Sequence, residues 1–362
     1  MMAKLGDIAT YINGYAFKPS DWSDEGLPII RIQDLTGNSY KANRYKGEYN
    51  SKYEVNAGDV LISWSASLGV YVWSGEKAVL NQHIFKVLFD KVDIDKNFFV
   101  FQVQNILENA ASEAHGATMK HLTKPVFDAL PFNLPSLEEQ KEISSKLNAV
   151  NDLIIARGEQ LSKLDELIKS RFIEMFGDPN SISSHYESYR LSDIFDLQMG
   201  KTPDRNDTLC WGEGSKWVSI RDIGEFGKYT GDTKETITEY GVKTSGIKLV
   251  PADTVIMSFK LSIGKTSITT EPVYTNEAIM AFIDKKVVSV NTNYLYALFS
   301  TKDWSLGANK AVMGLTLNKA TLSNIRMNVP PISLQNQFST FVEQVDKSKY
   351  HDGISCRMGV VA

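Results

Sequence analysis

LPFNLPSLEEQKEISSKLNAV, residues 130–150, recurs as IRMNVPPISLQNQFSTFVEQV, residues 325–345, so that 325 minus 130 gives an offset of 195. Asn133/Asn328, Pro135/Pro330, Gln140/Gln335, Ser144/Ser339 and Val150/Val345 are identical. Leu130/Ile325, Phe132/Met327, Leu134/Val329, Leu137/Ile332, Ile143/Phe338 and Leu147/Val342 exchange one apolar side chain for another. Each copy is a short β-like run, a proline and then a helix start, and a duplicated junction implies a duplicated domain.

The repeat extends upstream of both junctions. Leu5-Gly6-Asp7-Ile8 matches Leu191-Ser192-Asp193-Ile194, and IIRIQDLTG (29–37) matches WVSIRDIGEFG (217–227). GDVLISWSASLG (58–69) matches ADTVIMSFKLSIG (252–264), pairing Ser63 with Ser258, Ser67 with Ser262 and Gly69 with Gly264. Asn81-Gln82 matches Asn276-Glu277, and GATMKHL (116–122) matches GLTLNKA (314–320). β-rich runs such as DVLISW, GVYVW, HIFKVLF and TVIMSF alternate with Gly, Asn, Ser and Asp turns. NFFVFQVQNILENA and TNYLYALFSTKDW have helical patterning. Each copy is therefore expected to be a mixed α/β unit around a twisted sheet.

Between the copies, Ser136 and Glu139 have the spacing of a capping box, which satisfies free N–H groups at a helix start. Ile143, Leu147, Val150, Ile154, Leu161, Leu164, Ile168 and Met175 then recur at four-three spacing, with Arg157 and Arg171 in the two skipped seam positions. That period is a coiled-coil seam, and Gly177-Asp178-Pro179 ends it. About 41 residues at ~1.5 Å each give a rod of roughly 60 Å. Phe338, Val342 and Val345 carry the same spacing in the second copy. An antiparallel pairing of the two helices would put the domains at opposite ends of a rod, related by a pseudo-twofold axis. After Val345 the seam meets Lys349 and Asp352, and YHDGISCRMGVVA has no helical period. The second helix is thus expected to be shortened, leaving Leu161, Leu164, Ile168 and Met175 without an intramolecular partner and open to a second copy of this chain or to another subunit.

The expected organisation is α+β: a first domain over 1–135, a spacer helix over 136–177, a second domain over 185–331, a shortened helix over 332–350 and an irregular tail over 351–362. At 362 residues, 43% hydrophobic and 23% charged, the composition is that of a globular protein. No apolar run suits a signal peptide or a membrane span. Cys210 and Cys356 form no C-x-x-C, so a reducing cytoplasm is the expected setting. The net charge of −4 gives no global nucleic-acid signal.

Three lookalikes of catalytic motifs fail on spacing or on residue type. Ile263-Gly264-Lys265-Thr266 would need an earlier glycine where Phe259 stands. Asn328-Val329-Pro330-Pro331-Ile332 lacks the polar and aromatic residues of an amino-methyltransferase loop. After Pro203-Asp204, Glu213 and Lys216 are three apart, and strand alternation turns such residues to opposite faces. No enzyme activity, metal or cofactor is expected of this chain.

The LPSLEEQKEI and VPPISLQNQF junctions, the long helix ending in RFIEMFGDP, and the openings LGDIATYINGYAFK and LSDIFDLQMGKTP resemble the DNA-specificity subunit of type I restriction–modification systems. The resemblance spans roughly residues 1–349. It implies two target-recognition domains, each reading half of a split DNA site. The helices would serve as a ruler and as docking sites for methyltransferase subunits, with restriction subunits joining through the complex. Reading base edges needs forked or amide side chains. Candidates in the first domain are Lys18, Arg31, Gln33, Ser65, Gln82, Lys120 and His121. In the second they are Lys201, Thr202, Arg221, Lys260, Lys265, Asn276, Asn318 and Lys319, although Asn81 and Asn276 suit a turn cap equally well. The alternative is a structural adaptor whose duplicated domains bind protein ligands.

Overall fold

The structure, a computed structural model, describes residues 1–37, 43–113, 123–260, 262–305, 309–311 and 314–351. It forms two compact units, Met1–Ala156 and Arg157–Ala362. GATMKHL (116–122), with Lys120 and His121, lies outside the described residues, as does the tail beyond residue 351.

Unit 1 begins with β1 (Met2–Lys4), α1 (Leu5–Ile8), β2 (Thr10–Asn13), β3 (Leu27–Ile30) and α2 (Ile32–Leu35). Strands β4 (Arg44–Tyr45), β5 (Glu54–Val55), β6 (Val60–Ser63), β7 (Gly69–Val72), β8 (Ala78–Leu80) and β9 (Ile84–Leu88) follow. Then come α3 (Lys96–Glu113), α4 (Lys124–Asp128), β10 (Pro131–Asn133) and the 40-residue α5 (Leu137–Phe176), whose second half belongs to unit 2. Unit 2 continues with β11 (Glu187–Arg190), α6 (Leu191–Ile194), β12 (Phe195–Met199), β13 (Trp211–Val218), α7 (Ile220–Glu225), β14 (Glu235–Ile237) and α8 (Glu239–Ser245). Next are β15 (Val255–Ser258), β16 (Thr266–Ile268), β17 (Tyr274–Thr275), β18 (Ile279–Asp284) and α9 (Thr292–Thr301). The unit closes with β19 (Asn309–Ala311), β20 (Gly314–Thr316), α10 (Lys319–Asn324), β21 (Arg326–Val329) and α11 (Ile332–His351).

The core topology repeats, although among the described residues the second sheet has four strands in unit 1 (β4-β3-β8-β5) and three in unit 2 (β14-β13-β17), and α8 and the β19-β20 hairpin occur in unit 2 alone. Unit 1 has an antiparallel sheet ordered β2-β9-β6-β7, and unit 2 has β12-β18-β15-β16. Beside each lies a second sheet built on one parallel pair, β3 with β8 and β13 with β17. A two-stranded ribbon, β1-β10 or β11-β21, leads into α5 or α11. The period-two alternation of strands explains the layering. Val60 and Ile62 face the core beneath α3, whereas Leu61 between them faces Ile30, Val55 and Leu80 of the second sheet. In unit 2, Val255 and Met257 face the α9 core, while Ile256 packs with Val218, Val250 and Val273. The antiparallel sheet is therefore covered on both sides, and β6 and β15 are buried along their whole length.

Within unit 2, α11 runs antiparallel to the second half of α5. Phe338 lies 5.6 Å from Phe172 and 5.5 Å from Phe176, whereas Lys349, further along α11, pairs at 2.6 Å with the earlier Asp165. This corrects the expectation of a bare distal seam: Ile168 and Met175 pack against the unit 2 core, and Leu161 and Leu164 are half-buried. The exposed apolar stretch lies in the first half of α5 instead. Ile143 and Leu147 are exposed there, and Val150, Leu153, Ile154 and Ile155 are 53–69% exposed.

Candidate nucleic-acid interface

Each unit carries a crossing at one end of its antiparallel sheet, built from four equivalent backbone bonds. In unit 1, Gly14 donates to Ile84 O (3.1 Å), Tyr15 to Leu80 O (2.9 Å), Asn81 to Ile30 O (3.1 Å) and Trp64 to His83 O (3.2 Å). In unit 2, Gly200 donates to Ile279 O (3.2 Å), Lys201 to Thr275 O (2.9 Å), Asn276 to Val218 O (2.9 Å) and Phe259 to Ala278 O (3.0 Å). Three loops thus converge in both: the exit from β2 or β12, the turn into β9 or β18, and the hairpin after β6 or β15.

Glycine is obligatory at the crossing. A Cβ on Gly14 would meet Asn81 O at 2.0 Å, and one on Gly200 would meet Thr275 O at 2.0 Å. Side-chain hydroxyls fix the hairpins: buried Ser63 donates to Ser67 O, and buried Ser258 donates to Ser262 O. In unit 1 the loops contain two non-glycine residues in the left-handed region, Ala66 (φ 62°) and His83 (φ 72°), a conformation retained where the surrounding structure enforces it.

The crossing gathers Arg31, Ser65 and Gln82 in unit 1, because Arg31 follows the Ile30 carbonyl that Asn81 engages. Ser65 is buried, which leaves it little reach. Lys18 lies exposed at the head of the next turn, and Gln33 sits on α2. In unit 2 it gathers Lys201, Thr202, Asn276 and Lys260. Leu317 donates to Phe259 O at 3.0 Å, which brings Asn318 and Lys319 alongside. Lys265 lies on the same hairpin, where its carbonyl accepts from Ser258 N at 2.9 Å. Several of these groups already have partners. Asn276 Oδ1 accepts from Ala278 N at 2.7 Å and its Nδ2 donates to Thr202 Oγ1 at 3.2 Å, which is the turn-capping role. Thr202 also donates to Glu277. Asn318 caps α10, accepting from Thr321 N at 2.8 Å. The Lys201 ammonium donates to Ser245 O at 3.0 Å, and Arg221 pairs with Glu225 at 3.0 Å.

The residue pattern did not single out Tyr15 and Trp22, 47% and 41% exposed beside the unit 1 loops, or Arg205 and Trp211 in unit 2. The sequence signal for Tyr15 and Trp22 is an aromatic residue just after a short polar turn, whereas Arg205 and Trp211 carry no such mark. Among the described residues no group of three or more His, Cys, Asp or Glu is placed to hold a metal ion, and no helix is long and apolar enough to cross a membrane.

The family profile described as "Type I restriction modification DNA specificity domain" matches residues 1–165 and again 183–354. The type I restriction enzyme EcoBI specificity subunit of Escherichia coli is 23% identical over 373 aligned positions, covering 94% of this chain and 78% of that protein. The MjaVIII specificity subunit of Methanocaldococcus jannaschii is 24% identical, covering 95% and 85%. Among solved structures, a chain of a type I R-M system superposes with a TM-score of 0.57 at 15% identity, covering 96% of this chain and 90% of the other. The type I S subunit from M. genitalium gives a TM-score of 0.50 at 15% identity, with 96% and 90% covered. At such identities the superpositions speak for the fold.

Proposed function

Because the chain belongs to the type I restriction modification DNA specificity family, we propose that it reads a two-part DNA site, one half with each unit. Residues 1–135 and 185–331 are the target-recognition domains, and the convergent loops at each crossing are the surfaces that enter the groove. The observation that carries this reading is the fourfold bond pattern shared by the two crossings, on which different side chains are mounted. One scaffold presenting two different residue sets suits two half-sites of different sequence.

The helices, 136–177 and 332–350, dock methyltransferase subunits, and restriction subunits join through that complex. The chain itself catalyses no step. Its charge supports this division: the first domain and the spacer helix are slightly acidic and the second domain is near neutral. Phosphate neutralisation supplies most non-specific affinity, so partner subunits complete the grip on DNA, in the cytoplasm.

The test is to map methylated adenines in cells with and without this chain. A bipartite motif that vanishes with the chain is expected. Unchanged methylation, together with no sequence-dependent retention of duplex DNA by the assembled complex, would favour the adaptor reading.

A further inference from the structure

Both units lay a guanidinium on a tryptophan, yet the two arginines come from different places in the chain. In unit 1 the turn Pro19–Asp21 is capped by Trp22, whose N–H returns to Pro19 O at 3.3 Å. The Arg31 guanidinium lies 5.1 Å from the centre of the Trp22 ring. In unit 2 the turn Thr208–Cys210 is capped in the same manner by Trp211. There Arg205 lies 4.1 Å from the Trp211 ring and 4.8 Å from that of Trp217, and the two rings meet at 82°. The residue that matches Arg31 after β13 is Ser219, which caps α7 and has no fork to offer. Both indoles of unit 2 are fixed to the loop that leaves the crossing: Trp217 Nε1 donates to Lys201 O and Trp211 Nε1 to Asp204 O, each at 3.0 Å.

We propose that Arg31 and Arg205 are the side chains that recognise guanine in the two half-sites, each set against its tryptophan. This rests on the DNA-reading function proposed above and names the residues that discriminate. A planar fork pairs with guanine O6 and N7 in the major groove, and stacking on an aromatic face restricts its rotamers before DNA arrives. Arg205 also touches Glu235 at 2.5 Å, with both side chains about half exposed. An exposed pair of that kind is weak, so a base edge can take the place of the carboxylate.

The experiment uses the whole complex, with this chain and its methyltransferase subunits expressed in a host without background methylation, and compares modified sites by sequencing. Wild type is expected to require a G·C pair in each half-site. Arg31→Ala and Arg31→Lys should relax that requirement in one half by roughly 5- to 100-fold, and Arg205→Ala and Arg205→Lys should relax it in the other. Lysine keeps the charge without the fork, so full rescue by lysine would mean a phosphate contact and overturn the proposal. A lowered melting temperature with an unchanged motif would mean a structural staple and overturn it equally. If wild type is selective but neither half-site responds, this assignment alone fails. If wild type shows no sequence preference, the DNA-reading function fails and takes the assignment with it.

Discussion

The Gln335 side chain accepts the backbone N–H of Asn291 at 2.8 Å while its own amide donates to Pro330 O at 2.7 Å. Gln140 does the same in unit 1, accepting from Asp95 N and donating to Pro135 O, each at 2.9 Å. Both glutamines are buried and tie the first turn of the long helix to the loop before α3 or α9. Alanine at either position would leave a buried donor and acceptor unpaired, at about 2–4 kcal/mol for the two groups. Gln140→Ala and Gln335→Ala should each lower the urea midpoint of their own unit. A wild-type midpoint in both variants would refute that account.

Ser258 has a second bond that makes its hairpin testable: its hydroxyl accepts from Lys265 N at 3.2 Å. Ser258→Ala should speed amide exchange at Lys265 at a cost near 1 kcal/mol. In the assembled complex it should loosen base preference in one half-site, and Ser63→Ala should loosen it in the other. Exchange at Lys265 that stays at the wild-type rate would show that the hydroxyl does not hold the loop.

Alkaline pH should weaken unit 2 through Tyr296. Burial, helped by the carboxylates of Asp165 and Asp346, pushes its hydroxyl up to about 12. The folded group keeps its proton where the unfolded one, near the ordinary value of about 10, has lost it. Its contribution is therefore complete below pH ~10 and disappears as pH climbs toward ~12. Burial also raises Tyr294 and Tyr11, so they add slopes of the same sign. Tyr296→Phe should flatten the decline in urea midpoint over that window, and an identical slope in the variant would contradict this.

The exposed stretch of α5 predicts a partner contact. Val150, Leu153, Ile154 and Ile155 turn apolar side chains around more than one face, an arc wider than one packed helix needs. If methyltransferase subunits dock there, Leu153→Lys together with Ile155→Lys should leave the circular dichroism spectrum unchanged and abolish co-purification. Recovery of those subunits in wild-type yield would place their docking elsewhere.

The duplication was legible because its marks are local. A proline before a helix, a buried glutamine five residues later, and a serine at a strand end keep their spacing whatever surrounds them. Gln140/Gln335 and Ser63/Ser258 stood out as identical pairs, and the structure gives each pair one function. Arg31 stood among the base-reading candidates, but its tryptophan contact and its counterpart Arg205 were not legible, since the two arginines occupy different positions in the chain and meet equivalent tryptophans only after folding.

The repeated α/β plan and the seam of the long helix can be read along the chain, because alternation and heptad spacing are written in consecutive residues. Which stretch of that seam is covered depends on where α11 packs. A heptad repeat has no preferred stagger of its own. Here Phe172, Phe176 and Phe338 meet in the unit 2 core and dock α11 on the second half of α5, while the apolar side chains from Ile143 to Ile155 stay exposed.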